Sequence, residues 1–175
     1  MVGREDEDSA RILEAGIHHA LRTGADAVVV HGSAEVVIPL VDSWTAKQEH
    51  RWDTHLRSDL NAYSDRRHVV DIRDVAADLL AVVSGWRYRP RTTGGRIWWY
   101  RTVVQRRKVL LRLHNAHSAQ AVRAFAGGAP GSLIIATTRT RLLWLVSETA
   151  VQVAITSAPH TGPPPAAVPD AGQRP

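Results

Sequence analysis

Residues 27–48 read AVVVHGSAEVVIPLVDSWTAKQ and decide the fold class. The apolar run Ala27 to Val30 between polar neighbours is typical of a strand buried on both faces of a parallel sheet. A turn at Gly32 leads into a helix pattern. Because a helix tolerates proline only in its first turn, Pro39 predicts that this helix begins near Ile38. The apolar side of the helix is formed by Leu40, Val41 and Trp44.

The rest of the chain alternates between strand and helix patterns. Apolar runs of strand length are separated by segments with helix periodicity, and Gly24 and Gly85 stand where helices end. This alternation predicts an α/β fold with a mostly parallel sheet, right-handed crossovers and helices on both faces. Further strands are predicted at 55–60, 109–113, 133–137 and 151–155, and further helices at 12–21, 70–83, 97–107 and 118–125.

Length and composition predict one domain with irregular ends. The 175 residues, 44% of them hydrophobic, suffice for one core but are too few for two ordinary domains. We expect a flexible acidic N-terminus at 1–10, one domain at 11–157 and a disordered tail rich in proline and alanine at 158–175. The chain has no cysteine, no apolar run of bilayer length and no signal-peptide pattern. A cytoplasmic protein without membrane contact is therefore expected.

Positive charge is concentrated in one part of the chain. The formal net charge is +5, and no carboxylate occurs between Asp78 and Glu148. Such a stretch could bind phosphate groups, either of nucleic acid or of an acidic partner. It could also reflect only the arginine-rich residue usage of the chain. Aromatic residues among the arginines either stack on single-stranded bases or anchor a helix. The aromatic residues are Trp86, Trp98, Trp99 and Tyr100, and the basic ones are Arg87, Arg89, Arg91, Arg96, Arg101, Arg106, Arg107, Lys108, Arg112, Arg123, Arg139 and Arg141.

The segment after the first predicted strand is the first place to look for a ligand, because parallel sheets bind ligands beyond the carboxyl ends of their strands. A phosphate-binding loop there has the pattern GxxxxGK[ST], whose amides, lysine and hydroxyl hold phosphate and magnesium. Residues 32–39 read GSAEVVIP instead. Ile38 replaces the lysine and Pro39 the hydroxyl. Val37 replaces the second glycine, and Glu35 adds negative charge. These replacements predict that nucleotide hydrolysis is lost.

Residues 107–116 read RKVLLRLHNA, a basic turn followed by an apolar strand. Further on, a turn at Pro130-Gly131 and another strand precede Thr137-Thr138-Arg139, in the position of a sensor. In this order the segments resemble the NB-ARC region of STAND signal-transduction ATPases, found in bacterial transcriptional activators and in death-signalling switches of plants and animals. The resemblance covers Arg11 to Val153 and implies a P-loop NTPase-like three-layer sandwich.

The resemblance also implies a site at the strand ends. His114 stands where the family has a magnesium-coordinating aspartate, and Thr138 and Arg139 match the Thr-Ser-Arg-like sensor motif that follows a strand in this family. A metal site formed by His31, His114 and His117 was considered, but the spacing indicates no further ligand, and we predict no metal. The vestigial nucleotide-binding residues predicted in this way are Gly32, Ser33, Ala34, Val37, Ile38, Pro39, His114, Thr138 and Arg139.

Together these features predict a non-hydrolysing, NB-ARC-like regulatory or protein-interaction module, a pseudo-NTPase related to transcriptional and signalling regulators. We expect no catalytic residues and no required cofactor. A protein partner is expected, and the resemblance implies a complete STAND relative. Two alternatives stay open: residual binding of ADP or ATP without turnover, and binding of nucleic acid through the arginine-rich region.

Overall fold

The computed structural model describes residues 2–48, 50–63, 70–85, 90–126, 130–142 and 150–155. Trp86, Arg87, Arg89 and the predicted tail at 158–175 lie outside these residues. The helices are α1 (Val2–Thr23), α2 (Ala34–Ala46), α3 (Ile72–Ser84), α4 (Thr93–Val104) and α5 (Ala119–Phe125), with a short 3-10 helix at Leu60–Tyr63. The strands are β1 (Ala27–His31), β2 (Thr54–Asp59), β3 (Val109–His114), β4 (Leu133–Thr138) and β5 (Ala150–Ala154).

The five strands form one sheet in the order β2-β3-β4-β1-β5, and every neighbouring pair is parallel. Parallel neighbours need long crossover connections, and helices occupy the connections from β1 to β2, from β2 to β3 and from β3 to β4. The interior strand β1 is buried from Ala27 to Val30, as its apolar sequence predicts. The predicted α/β fold of the P-loop NTPase type, a three-layer sandwich around a parallel sheet, is confirmed.

Two hydrophobic cores cover the two faces of the sheet. Alternate strand residues point to opposite faces, so Val28 and Val30 belong to one core while Ala27 and Val29 belong to the other. The first core packs α1 and α2 on the sheet, and the second packs α3, α4 and α5. Helix residues of the first core are Leu13, Ile17, Ala20, Val37, Val41 and Trp44; those of the second include Val75, Leu79, Leu80, Tyr100, Val104, Val122 and Phe125.

The predicted start of α2 near Ile38 is wrong, because the helix begins at Ala34. Ser33 is the N-cap, and its carbonyl oxygen accepts from Val36 N at 3.1 Å and Val37 N at 2.9 Å. Pro39 therefore lies inside the helix rather than in its first turn. Its exposed ring removes one backbone N–H from the helix without entering the core.

Local capping determines where several other helices begin and end. The Asp71 carboxylate accepts from Arg73 N before α3, and Gly85 ends α3 with a left-handed φ of 61°. Thr92 caps α4 through Gly95 N, which starts this helix at Thr93, earlier than predicted. The predicted start of α5 at Ser118 is confirmed, since Ser118 is the N-cap and its Oγ accepts from the backbone amide of Ala121, in the first turn, at 3.2 Å.

The first helix is longer than its apolar pattern predicts. α1 begins at Val2, so it includes most of the 1–10 segment that the sequence assigned to a flexible N-terminus. Its apolar face is the predicted one, with Leu13, Ile17 and Ala20 buried. Among the helices that the structure describes, none is long and apolar enough to cross a membrane.

Candidate nucleotide crevice at the strand ends

The bend after β1 lies at the carboxyl ends of the central strands, where the sequence places the nucleotide site. Gly32 N donates to Thr138 O at 3.0 Å, which fixes the bend beside the end of β4. Ala116 N donates to Thr137 O at 2.8 Å, which brings the segment after β3 to the same edge. The ends of β1, β3 and β4 therefore meet as a P-loop fold requires.

The bend itself is too short for a phosphate-binding loop. Only Gly32 and Ser33 separate the end of β1 from the start of α2 at Ala34. Val37, Ile38 and Pro39, which the sequence aligned with the end of such a loop, are helical, and Val37 is buried in the core. The structure thus keeps Gly32, Ser33 and Ala34 at the bend, while the other three belong to the body of α2.

Gly32 is required by packing within the chain. A Cβ atom at this position would lie 2.7 Å from Ile155 O and 2.7 Å from Val37 Cγ1. Ile155 N donates to His31 O at 2.8 Å, so the main chain after β5 is held against the bend. The close approach that glycine permits is used by this main chain.

A carboxylate of the chain occupies the start of α2. Ser33 Oγ donates to Glu35 Oε2 at 2.5 Å, and Ser33 makes no side-chain cap to the helix backbone. The hydrogen bond from Ser33 lowers the pKa of Glu35, and the backbone amide of Glu35 and the charge of Arg139 lower it further. The N-terminal end of a helix favours an anion, and here Glu35 supplies it.

The predicted sensor residues have local roles. Thr138 is buried, and its hydroxyl donates to Thr140 O at 2.7 Å while accepting from Thr140 N at 3.2 Å. This turn directs the exposed side chain of Arg139 to the bend, where its charge acts on Glu35. The carboxylate on which the charge of Arg139 acts is therefore a side chain of the same protein.

His114 is fully buried at the end of β3. Thr137 Oγ1 accepts from Asn115 N at 3.1 Å and lies 3.4 Å from His114 Nδ1. Which of His114 Nδ1 and Thr137 Oγ1 donates depends on the tautomer of the imidazole, while His114 Nε2 is buried on the other side of the ring. That nitrogen lies 3.4 Å from Asp42 Oδ1. His114 therefore joins β3 to α2 and β4 rather than facing an open crevice.

Stability is expected to fall on acidification because of His114. Burial lowers the pKa of His114 below its usual value of about 6.5, Asp42 partly opposes this, and Arg57 and Arg112 lower it further. The unfolded chain then binds the proton at higher pH, so the stabilisation is complete above about pH 6.5 and is lost as the pH falls through the folded pKa.

Urea unfolding measured from neutral to mildly acidic pH tests this expectation. The slope in the affected window reaches at most about 1.4 kcal/mol per pH unit for one proton. His114→Gln removes this contribution, whereas His18→Gln, at an exposed position on α1, keeps it. An unchanged slope in His114→Gln would show that another group causes the dependence.

The structure shows a charged cluster that sequence reasoning missed. Asp42 on α2 accepts from Arg112 Nη1 at 2.6 Å and lies 3.4 Å from Arg57 Nη2. The side chains of Arg112 and Asp42 are 18% and 29% exposed, so the pair is largely removed from water. Arg112 interrupts a buried strand pattern, which was a signal for a buried partner. Seventy positions separate Arg112 from that partner, so the sequence did not identify it.

Asn115 was also missed as a residue of this edge. Its φ of 57° lies in the left-handed region, and it is 6% exposed. Asn115 Nδ2 donates to Asp59 Oδ1 at 2.9 Å, and its backbone amide donates to Thr137 Oγ1. One side chain thus ties the end of β2 to β3, while its backbone ties β3 to β4. In the sequence, Asn115 stands out only as part of the stretch RKVLLRLHNA, directly after His114.

The histidines considered for a metal site do not converge. His117 Nε2 lies 2.8 Å from Asn61 Oδ1, whereas His114 faces Asp42 and Thr137. No group of three histidine, aspartate or glutamate side chains in the described ranges is arranged to hold a metal ion.

The aromatic residues of α4 have different environments. Tyr100 is buried and packs edge-on against Phe125, with ring centroids 5.4 Å apart. Trp98 is 63% exposed, and its ring centroid lies 5.9 Å from that of Trp99. Tyr100 therefore anchors α4 in the core, which is one of the two alternatives that the sequence left open, and Trp86 lies outside the described residues.

Comparison with known proteins shows the fold. No protein-family model matches the chain, and no curated protein matches it. A chain in the structure of Drosophila ORC bound to DNA is similar, with a TM-score of 0.62 and 12% identity over 90% of this chain and 94% of that one. Two further ORC structures, bound to Cdc6 and to GC-rich or AT-rich DNA, give TM-scores of 0.59 and 0.56 with 17% and 16% identity.

These two matches cover 87% and 88% of this chain but only 59% of each matched chain. At such identities the similarity concerns the fold alone. It agrees with the P-loop type of sheet that the strand order shows, and no part of it is specific to NB-ARC domains.

Proposed function

We propose that this protein is a non-hydrolysing regulatory or protein-interaction module built on a P-loop NTPase-like fold, a pseudo-NTPase. Its derivation from NB-ARC domains of STAND proteins is part of the proposal and rests on the order of segments from RKVLLRLHNA to Thr137-Thr138-Arg139. The role in signalling or transcription regulation comes from that resemblance.

The observation that carries the proposal is that the protein itself fills the phosphate position. The two-residue bend cannot surround a phosphate chain, the backbone at Ile155 lies against Gly32, and Glu35 places its carboxylate at the start of α2. Ile38 and Pro39 stand where the phosphate-binding pattern has a lysine and a hydroxyl, and the buried His114 stands where the resemblance implies a magnesium-coordinating aspartate. The residues present do not fit ADP or ATP with magnesium.

The arginine-rich stretch does not support a nucleic-acid surface as a second function. Arg101 donates to Arg123 O and Ala124 O at the end of α5, and Arg107 donates to Val83 O near the end of α3. Cations at these positions satisfy the carbonyl groups of helix ends. Lys108 precedes β3 and Arg139 follows β4, so these two charges lie at opposite ends of the strands.

A protein partner follows from the same proposal. The ORC chains that share the fold come from structures with DNA and, in two cases, Cdc6, so this fold is used in assemblies. For the present chain we propose docking to another protein, with a complete STAND relative as the first partner to test.

Calorimetric titration with ADP and ATP, with and without magnesium, tests the proposal. We expect no detectable heat from the wild-type chain. A dissociation constant tighter than about 100 μM, or roughly 5–6 kcal/mol, would contradict the proposal and favour residual nucleotide binding without turnover.

Glu35→Ala serves as the matched variant because it removes the internal carboxylate and leaves the bend unchanged. We expect no detectable heat of binding from this variant either, because the short bend and the Ile155 backbone still exclude phosphates. Binding that appears only in Glu35→Ala would show that the carboxylate alone keeps a nucleotide out.

A further inference from the structure

A cleft opens on the α2 side of the sheet, away from the bend after β1. Alternate residues of β2 and β3 point to this side, and Arg57 is paired with Arg112 in the register. The cleft has a volume of about 450 Å³, which lies within the range of small-molecule sites. Its walls are formed by Asp42, Thr45, Ala46, His55 and Arg112.

The charge of the cleft favours an anion. Arg57 and Arg112 both lie against Asp42, so two guanidinium groups share one carboxylate. His114, the other titratable group facing Asp42, is kept neutral because burial lowers its pKa. One positive charge is therefore left without a counter-charge among the groups recorded around Asp42.

Donors beside the cleft outnumber their acceptors. A guanidinium carries five N–H groups, and the contacts with Asp42 use Nη1 of Arg112 and Nη2 of Arg57. Arg112 Nε and His55 Nε2 are buried, and neither has a hydrogen-bond partner in the part of the chain that the structure describes. Unpaired buried donors are destabilising, and both side chains line the cleft. An oxygen-bearing ligand in the cleft would supply the partner that these two atoms lack.

We propose that this cleft binds the carboxylate or phosphate group of a small molecule. The oxyanion accepts from the unshared edges of Arg57 and Arg112 and from His55, while Asp42 holds both arginines in position. Planar guanidinium groups are well suited to such oxygen pairs. The site is separate from the bend at Gly32 and Ser33, and the inference does not depend on the proposed function.

Nuclear magnetic resonance of the isotope-labelled full chain tests this site. Acetate and inorganic phosphate are titrated in separate experiments at constant ionic strength. We expect saturable shifts of the His55 ring and of the Nε–Hε groups of Arg57 and Arg112, with a dissociation constant of about 1 mM or tighter for at least one anion. The anion that saturates at the lower concentration identifies the chemical group.

Two cleft variants and one control make the result decisive. Arg57→Gln changes a side chain that is 52% exposed, and His55→Phe keeps an aromatic ring without its nitrogen atoms, so each should fold. Each is expected to weaken binding about tenfold. Arg106→Gln removes an exposed arginine before β3 and should leave binding unchanged. Shifts that grow linearly without saturation, or that persist in both cleft variants, would overturn the proposal.

Discussion

Asp42→Ala is expected to lower the free energy of unfolding by about 2–3 kcal/mol. The substitution leaves Arg57 and Arg112 facing each other at paired positions on β2 and β3, without their shared carboxylate. Arg112 is only 18% exposed, so water replaces the lost partner poorly. The expected loss lies below that of a fully buried pair, because Asp42 is 29% exposed.

Urea unfolding followed by tryptophan fluorescence measures this effect. Ser43→Ala, at the neighbouring exposed position of α2, is the matched control and should change stability by no more than about 0.5 kcal/mol. Asp42→Asn keeps the shape and one acceptor oxygen, so its loss should be intermediate. If Asp42→Ala costs no more than the control, the cluster does not hold α2 to the sheet.

Asn115→Ala is expected to cost about 2–4 kcal/mol. Alanine at a φ of 57° is strained, and the substitution also removes the hydrogen bond that Asn115 Nδ2 donates to Asp59. Asn115→Gly removes the same hydrogen bond but tolerates the left-handed backbone, so it should cost about 1–2 kcal/mol.

The difference between the two variants separates backbone strain from the side-chain contact. Thermal and urea unfolding provide the measurement, and the backbone amide of residue 115 keeps Thr137 as its acceptor in both variants. If Asn115→Ala and Asn115→Gly lower the free energy of unfolding equally, backbone strain at residue 115 does not contribute. If neither variant changes the free energy of unfolding, other contacts hold the strand ends together.

The fold was predictable because its signals are local. Apolar runs bounded by turn residues gave all five strands within a few residues, and the caps at Gly85 and Ser118 ended or began helices as predicted. The predicted start of α2 near Ile38 was wrong because it was inferred from Pro39. The rule that proline belongs to the first turn is a preference, and the exposed second turn of this helix accommodates the ring.

The pattern of strands predicted where the candidate crevice lies but not which residues form it. The ends of β1, β3 and β4 meet where the pattern placed them, because strand topology fixes that edge. The length of the bend depended on the start of α2, and that start was misplaced. Asp42 and Asn115 act through partners far away in the chain, at Arg112 and Asp59, which no local pattern specifies.

The two-residue connection after β1 limits how nucleotide turnover, which we propose this protein lacks, could arise in the chain. Substituting a lysine and a threonine into positions 38 and 39 would place them on the side of an existing helix, one or more turns from where phosphates would have to lie. Side-chain exchange alone does not lengthen a backbone. ATPase chemistry at this bend would therefore need inserted residues and a different path for the main chain at Ile155, so point mutations alone would not produce it.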